Sequence, residues 1–145
     1  MTSLPLRAGP RLCGAVEALP AALVAGRVVG VELVAQHIAD GICQSFAVAQ
    51  LRVRVAERRP HDARGELHGL YQPGNARARD VITLWMRTAK RGQVVAYKTF
   101  LRTLLHELCH HLDYTYLGLQ DSLHTQGFYQ RESSLFAALH DERGP

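Results

Sequence analysis

The chain has 145 residues and a mass of 16.1 kDa, enough for one domain with its own core. Hydrophobic residues at 47% and charged residues at 21% are ordinary globular usage and exclude a disordered chain. The formal charge of +4 permits an anionic partner without requiring one.

Of the 17 basic residues, all but Lys90 and Lys98 are arginine. Cys13, Cys43 and Cys109 are odd in number and lack metal-type CxxC spacing, so a reducing, cytoplasmic setting is expected rather than a disulfide framework. No run of about 18 apolar residues predicts a membrane span.

Residues 1–29 read as an N-terminal arm or short helix, broken by Pro5, Pro10 and Pro20 with Gly9 and Gly14. Arg7 and Arg11 precede an apolar stretch, but Glu17, Pro20 and Arg27 interrupt it, and no signal peptide is expected. Residues 30–140 are expected to form a single domain. Val31, Val34, Ile38 and Ile42 recur at helical spacing over 30–46. Leu51, Val53 and Val55 alternate with Arg52 and Arg54, which predicts a half-buried strand over 50–57.

A second strand is predicted over 66–71, ended by Pro73-Gly74-Asn75, and a third over 80–88, where Ile82, Leu84 and Met86 alternate with Thr83, Trp85 and Arg87. A long helix over 94–117 follows, with Phe100, Leu101, Leu104, Leu105, Leu108 and Leu112 as its apolar face and Gly118 as its stop. A last helix spans 127–139, and residues 141–145 form a solvated tail. The expected class is α+β: an N-terminal helix, a three-stranded antiparallel or mixed sheet, and two further helices.

One motif carries chemistry: His106-Glu107-Leu108-Cys109-His110, an HExxH inside the longest helical pattern. Residues four apart share a helix face, so both imidazoles can reach one zinc ion. The glutamate beside the first histidine then lies where it can take a proton from a zinc-activated water. A catalytic zinc takes three protein ligands, and the third must come from downstream. In the HExxHxxGxxH pattern it would fall at Tyr116, with the glycine at Asp113, so that class is excluded. Two candidates remain. Glu132 lies 22 positions after His110, and His124 follows His110 with thirteen residues between.

His106-Glu107-x-x-His110, followed by His124-x-x-Gly127-Phe128 opening another helix, resembles the SprT-like (Spartan-type) zinc metalloproteases, which are HExxH zincins. The likeness covers residues 30–140 in element order. It implies a compact zincin core, a Zn2+ cofactor held by His106, His110 and His124, Glu107 as base, and a peptide or protein substrate. Glu132 stands as the alternative third ligand. The family also implies DNA contact, but Arg52, Arg54, Arg58, Arg59, Arg77, Arg79, Arg87 and Arg91 are scattered, with no interleaved aromatic residues.

Around the motif, Asp113 shares the ligand face and is a candidate to orient a ligand imidazole. Tyr129 is the candidate donor to an oxyanion, ahead of Tyr114 and Tyr116. His111 falls off the ligand face, and Cys109 reads as a small buried hydrophobe. The strand over 80–88 is expected to hold an extended peptide by strand addition or to be a core strand. The competing function is a basic nucleic-acid or protein-binding module with a structural metal or none. A monomer is expected.

Overall fold

The computed structural model describes residues 1–141; the predicted tail, apart from Asp141, lies outside them. The first helix, α1, spans Pro10–Ala25 and starts on a proline, whose fixed φ suits a first helical position. Leu12, Val16, Leu19 and Leu23 are buried at spacings of four, three and four, one continuous stripe. That burial outweighs the hydrogen bond lost at Pro20, so this stretch is more regular than its prolines suggest. Helix α2 (Val28–Phe46) packs Val31, Ala35, Ile38 and Ile42 into the same core.

Strand β1 spans Arg52–Arg58, and β2 (His61–Asp62) pairs with β3 (Gly65–Glu66) in a separate two-stranded ribbon. Strand β4 is Gly69–Gln72 and β5 is Val81–Arg87. The strand predicted over 66–71 is thus divided between two sheets: Glu66 pairs with His61, and pairing with β5 begins only at Gly69. The main sheet has the order β1-β5-β4, with β1 parallel and β4 antiparallel to β5. It is therefore mixed. Strand β5 lies at its centre, so the strand expected to hold a peptide has no free edge.

The two outer edges are treated differently. Along β1, the Val53 N–H donates to Gln36 Oε1 (2.8 Å), the Val55 N–H to Glu32 Oε1 (2.9 Å), and Gln36 Nε2 to Leu51 O (2.9 Å). Side chains of α2 thus occupy the backbone groups that another strand would use. No strand lies on the outer edge of β4 among the described residues.

Val53, Val55, Ile82, Leu84 and Met86 line the buried face of the sheet. Helix α3 (Tyr97–Thr115) buries Phe100, Leu101, Leu104, Leu105, Leu108 and Leu112 in that core. Its opposite face, with His106 and His110, remains half-exposed. Helix α4 (Gln126–Asp141) closes the domain through Phe128, Leu135 and Leu139. The α+β class with helices at both ends is the observed architecture.

Candidate metal centre

The HExxH segment occupies the third and fourth turns of α3, with the His106 and His110 ring centroids 5.1 Å apart. Past Thr115 the chain reverses. Gly118 adopts φ 67°, a left-handed conformation that favours glycine, and the Leu119 N–H donates to Asp113 O (2.9 Å). The chain then returns along α3 and delivers Ser122 and His124. Thr125 caps α4, its Oγ1 accepting from the Phe128 N–H (3.1 Å). That cap places Phe128, fully buried, against all three imidazoles at centroid distances of 4.7–5.1 Å.

His106, His110 and His124 converge. His124 Nε2 is 3.1 Å from His106 Nε2 and 3.1 Å from His110 Nε2. Ligands about 2.0–2.1 Å from a tetrahedral ion sit about 3.3–3.4 Å from one another, close to this spacing.

The outer ring nitrogens explain the orientation. His106 Nδ1 donates to Glu132 Oε1 (2.7 Å), since a carboxylate can only accept. Ser122 Oγ donates to Asp113 Oδ2 (2.6 Å), which leaves Oγ to accept from His110 Nδ1 (2.7 Å). With both Nδ1 atoms protonated, both Nε2 atoms of the neutral rings turn lone pairs toward His124. One proton on His124 Nε2 can satisfy only one of them well, whereas a cation satisfies all three. The donor set therefore fits a metal, and these three residues could hold one ion.

The electrostatics agree. Burial, followed by the neighbouring His106 and His124, pushes His110 down to about 4, so it is neutral at pH 7. The hydrogen bond to Glu132 raises His106 above the usual imidazole range. A proton thus competes with metal at His106, and metal affinity should fall as pH is lowered. Glu132→Gln should weaken metal binding by about 10–100-fold in a competition titration while the fold persists.

Each residue singled out from sequence has a definite place. Glu132 sits on the outer nitrogen of His106 and does not join the three Nε2 atoms. Asp113 is buried and reaches His110 through Ser122, while its Oδ1 lies 3.1 Å from Arg131 Nη2. Tyr129 stands exposed at the rim, its ring 5.8 Å from that of His124. Tyr114 stacks near Tyr71 (6.2 Å), and Tyr116 packs away from the site on Phe46 (4.8 Å). Cys109 is buried in the core, and burial raises its thiol pKa.

Glu107 is 7% exposed and makes no hydrogen bond among the described residues. Burial, aided by the charge of Glu132 and opposed by His106, pushes its carboxyl up to about 7. Gly69 of β4 passes directly over it. A Cβ at that position would lie 3.1 Å from Glu107 Oε2 and 2.7 Å from Thr103 Cγ2. Gly69→Val should displace the carboxylate and lower any turnover at least about tenfold, with metal content unchanged.

Sequence reasoning missed a partly buried triad beside the site. Tyr71 OH donates to Asp80 Oδ2 (2.6 Å), His111 Nδ1 lies 3.0 Å from the same oxygen, and His111 Nε2 donates to Ala49 O (2.7 Å). Burial alone would raise Asp80. The hydrogen bonds from Tyr71 and the Gly74 N–H hold it below the usual carboxylate range. The triad ties β4 to α3 and fixes the wall formed by Tyr71, whose ring stacks 6.3 Å from that of His110.

Two hollows meet at Gly69, His106 and Glu107. One, of about 390 Å³, adds His68, Thr99, Arg102, Thr103, Tyr129 and Glu132; the other, of about 380 Å³, adds Leu70, Tyr71, Pro73, His110, Tyr114 and His124. A larger hollow of about 490 Å³ between α1 and α2 contains no comparable donor set. In comparisons with family models, curated proteins and solved structures, nothing matches this chain. No described helix is long and apolar enough to cross a membrane.

Proposed function

We propose that this chain is a zinc-dependent peptidase of the SprT-like kind, hydrolysing peptide bonds in protein substrates. One observation carries the reading: three imidazole Nε2 atoms converge beside a buried, unbonded glutamate that opens into the same cleft. The order of helix, mixed sheet, HExxH helix and closing helix supports it.

Held by His106, His110 and His124, a zinc ion would supply Lewis acidity and make a neighbouring water acidic near neutral pH. Glu107 takes the proton from the water that attacks the scissile carbonyl carbon. It returns that proton to the departing amine nitrogen as the C–N bond breaks. Glu107 must be ionised to begin, and a divalent charge nearby lowers its pKa from about 7. Tyr129 is the candidate hydrogen-bond donor to the oxyanion. The free edge of β4, beside Glu107, takes the role first expected of the 80–88 strand and pairs with an extended substrate.

A basic module with a structural metal would need four closed ligands, and the described cluster has three. Casein degradation by the zinc-loaded chain, with and without single-stranded DNA, tests the proposal. Cleavage is expected from the native chain and not from Glu107→Gln. A fully zinc-loaded chain that degrades nothing under either condition would overturn it. Stimulation by DNA would give the exposed Arg52, Arg54 and Arg58 of β1 a role in substrate recruitment.

A further inference from the structure

We propose that the hollow formed by α3, α4 and the start of β4 binds a substrate carboxylate, with Arg102 as the residue that reads it. The inference rests on the peptidase reading above and names a substrate class for that site. Arg102 lies one turn before His106, on the same face of α3. Its guanidinium sits 3.9 Å from the centroid of the Phe136 ring on α4, a cation–π contact that limits where the head group can go. It makes no ion pair among the described residues, although it lines a hollow of about 390 Å³.

Two neighbouring groups can donate to an anion bound by Arg102. The Thr99 hydroxyl makes no hydrogen bond among the described residues and can donate, and His68 offers a further ring nitrogen. Of the two acids there, Glu132 accepts from His106, and Glu107 is replaced by glutamine in the binding test below. The adjoining hollow has a different chemistry, with Leu70, Tyr71, Pro73 and Tyr114 offering apolar and aromatic surface without a lysine or arginine. The cleft is thus apolar and aromatic on one side of the metal centre, while the other side offers the Arg102 guanidinium beside the carboxylates of Glu132 and Glu107. A carboxylate paired with Arg102 gains charge-assisted hydrogen bonds that an amide in its place lacks.

The carboxylate can come from an Asp or Glu side chain or from the end of the peptide, and one experiment separates the two. Fluorescent peptides with a central Asp or Asn, each with a free or amidated C-terminus, are bound to zinc-loaded Glu107→Gln protein and followed by anisotropy. An exposed ion pair of this kind should give about a fivefold preference for the carboxylate peptide. The preference should disappear in Arg102→Gln and return in part in Arg102→Lys, with zinc content unchanged. Preference for Asp assigns a side-chain subsite, and preference for the free terminus assigns a terminal one.

Equal affinity across the series, no binding at all, or a preference that survives Arg102→Gln would overturn the proposal. Parallel cleavage by the chain with Glu107 intact separates the two readings. Selective binding without cleavage sinks the peptidase and keeps the subsite. Cleavage without selectivity does the reverse.

Discussion

Glu107→Gln is expected to abolish peptide hydrolysis while leaving one metal ion per chain. Glutamine keeps the shape but cannot carry the proton between water and leaving amine, so a loss of at least about a thousandfold is expected. The same substitution should stabilise the metal-free protein at high pH. Folding raises this carboxyl from 4.5 to about 7, so between those values the native state binds more protons than the unfolded state. Stability therefore falls as pH rises through this window, by an amount on the order of 3 kcal/mol. Chelator-treated Glu107→Gln should melt higher than the parent at pH 8 and alike at pH 4. A native chain with no such pH-dependent deficit, or a glutamine variant that still cleaves, would remove Glu107 from the role assigned to it.

Asp113→Ala is expected to have the largest effect on stability. Asp113 and Arg131 are 1% and 7% exposed and form an ion pair at 3.1 Å, with Arg131 Nη1 also donating to Met1 O (3.0 Å). Removing the carboxylate strands a buried guanidinium whose Nε already lacks a partner. That costs about 3–5 kcal/mol, read as a shift in the denaturant midpoint of the metal-free chain. The metal site should suffer separately. Without Asp113 to receive its proton, the Ser122 hydroxyl is free to donate to His110 Nδ1, which moves the ring proton to Nε2 and blocks the ligand atom. Ser122→Ala distinguishes the two effects: metal affinity should fall by about tenfold or more, with a stability cost of only about 1 kcal/mol. An Asp113→Ala chain that unfolds at the parent's midpoint would show that the pair stabilises nothing.

The core of the site was legible because it is local. His106, Glu107 and His110 lie within one helix, and helical spacing alone places both rings on one face. His124 was legible as a ligand-type residue in the loop before α4. The residues that orient the rings were harder to find. Ser122 carries no spacing signature, and its effect depends on a chain reversal at Gly118. Glu132 has the side chain of a ligand, and sequence distance does not distinguish a metal contact from a bond to the outer nitrogen of His106. The Tyr71–Asp80–His111 triad draws on β4, the residue before β5, and α3, which no sequence window spans.

The sheet shows the same division. Alternation located β1 and β5, because period-two burial is a property of a single strand. Strand order is not: the parallel pairing of β1 with β5 arises only when β4 comes back along the far side of β5. The stretch from Glu66 to Tyr71 reads as one run, but its two ends face different partners. Helix α1 was obscured by Pro20, since local propensity cannot register the burial that holds the helix together.

The most direct measurement is metal content by mass spectrometry on the native chain, Glu107→Gln, His124→Ala and Glu132→Ala, prepared identically at neutral pH. About one zinc per chain is expected in the first two, little in His124→Ala, and a weaker but measurable complement in Glu132→Ala. Full zinc in His124→Ala, or none in the native chain, would contradict a metal centre built on these three histidines.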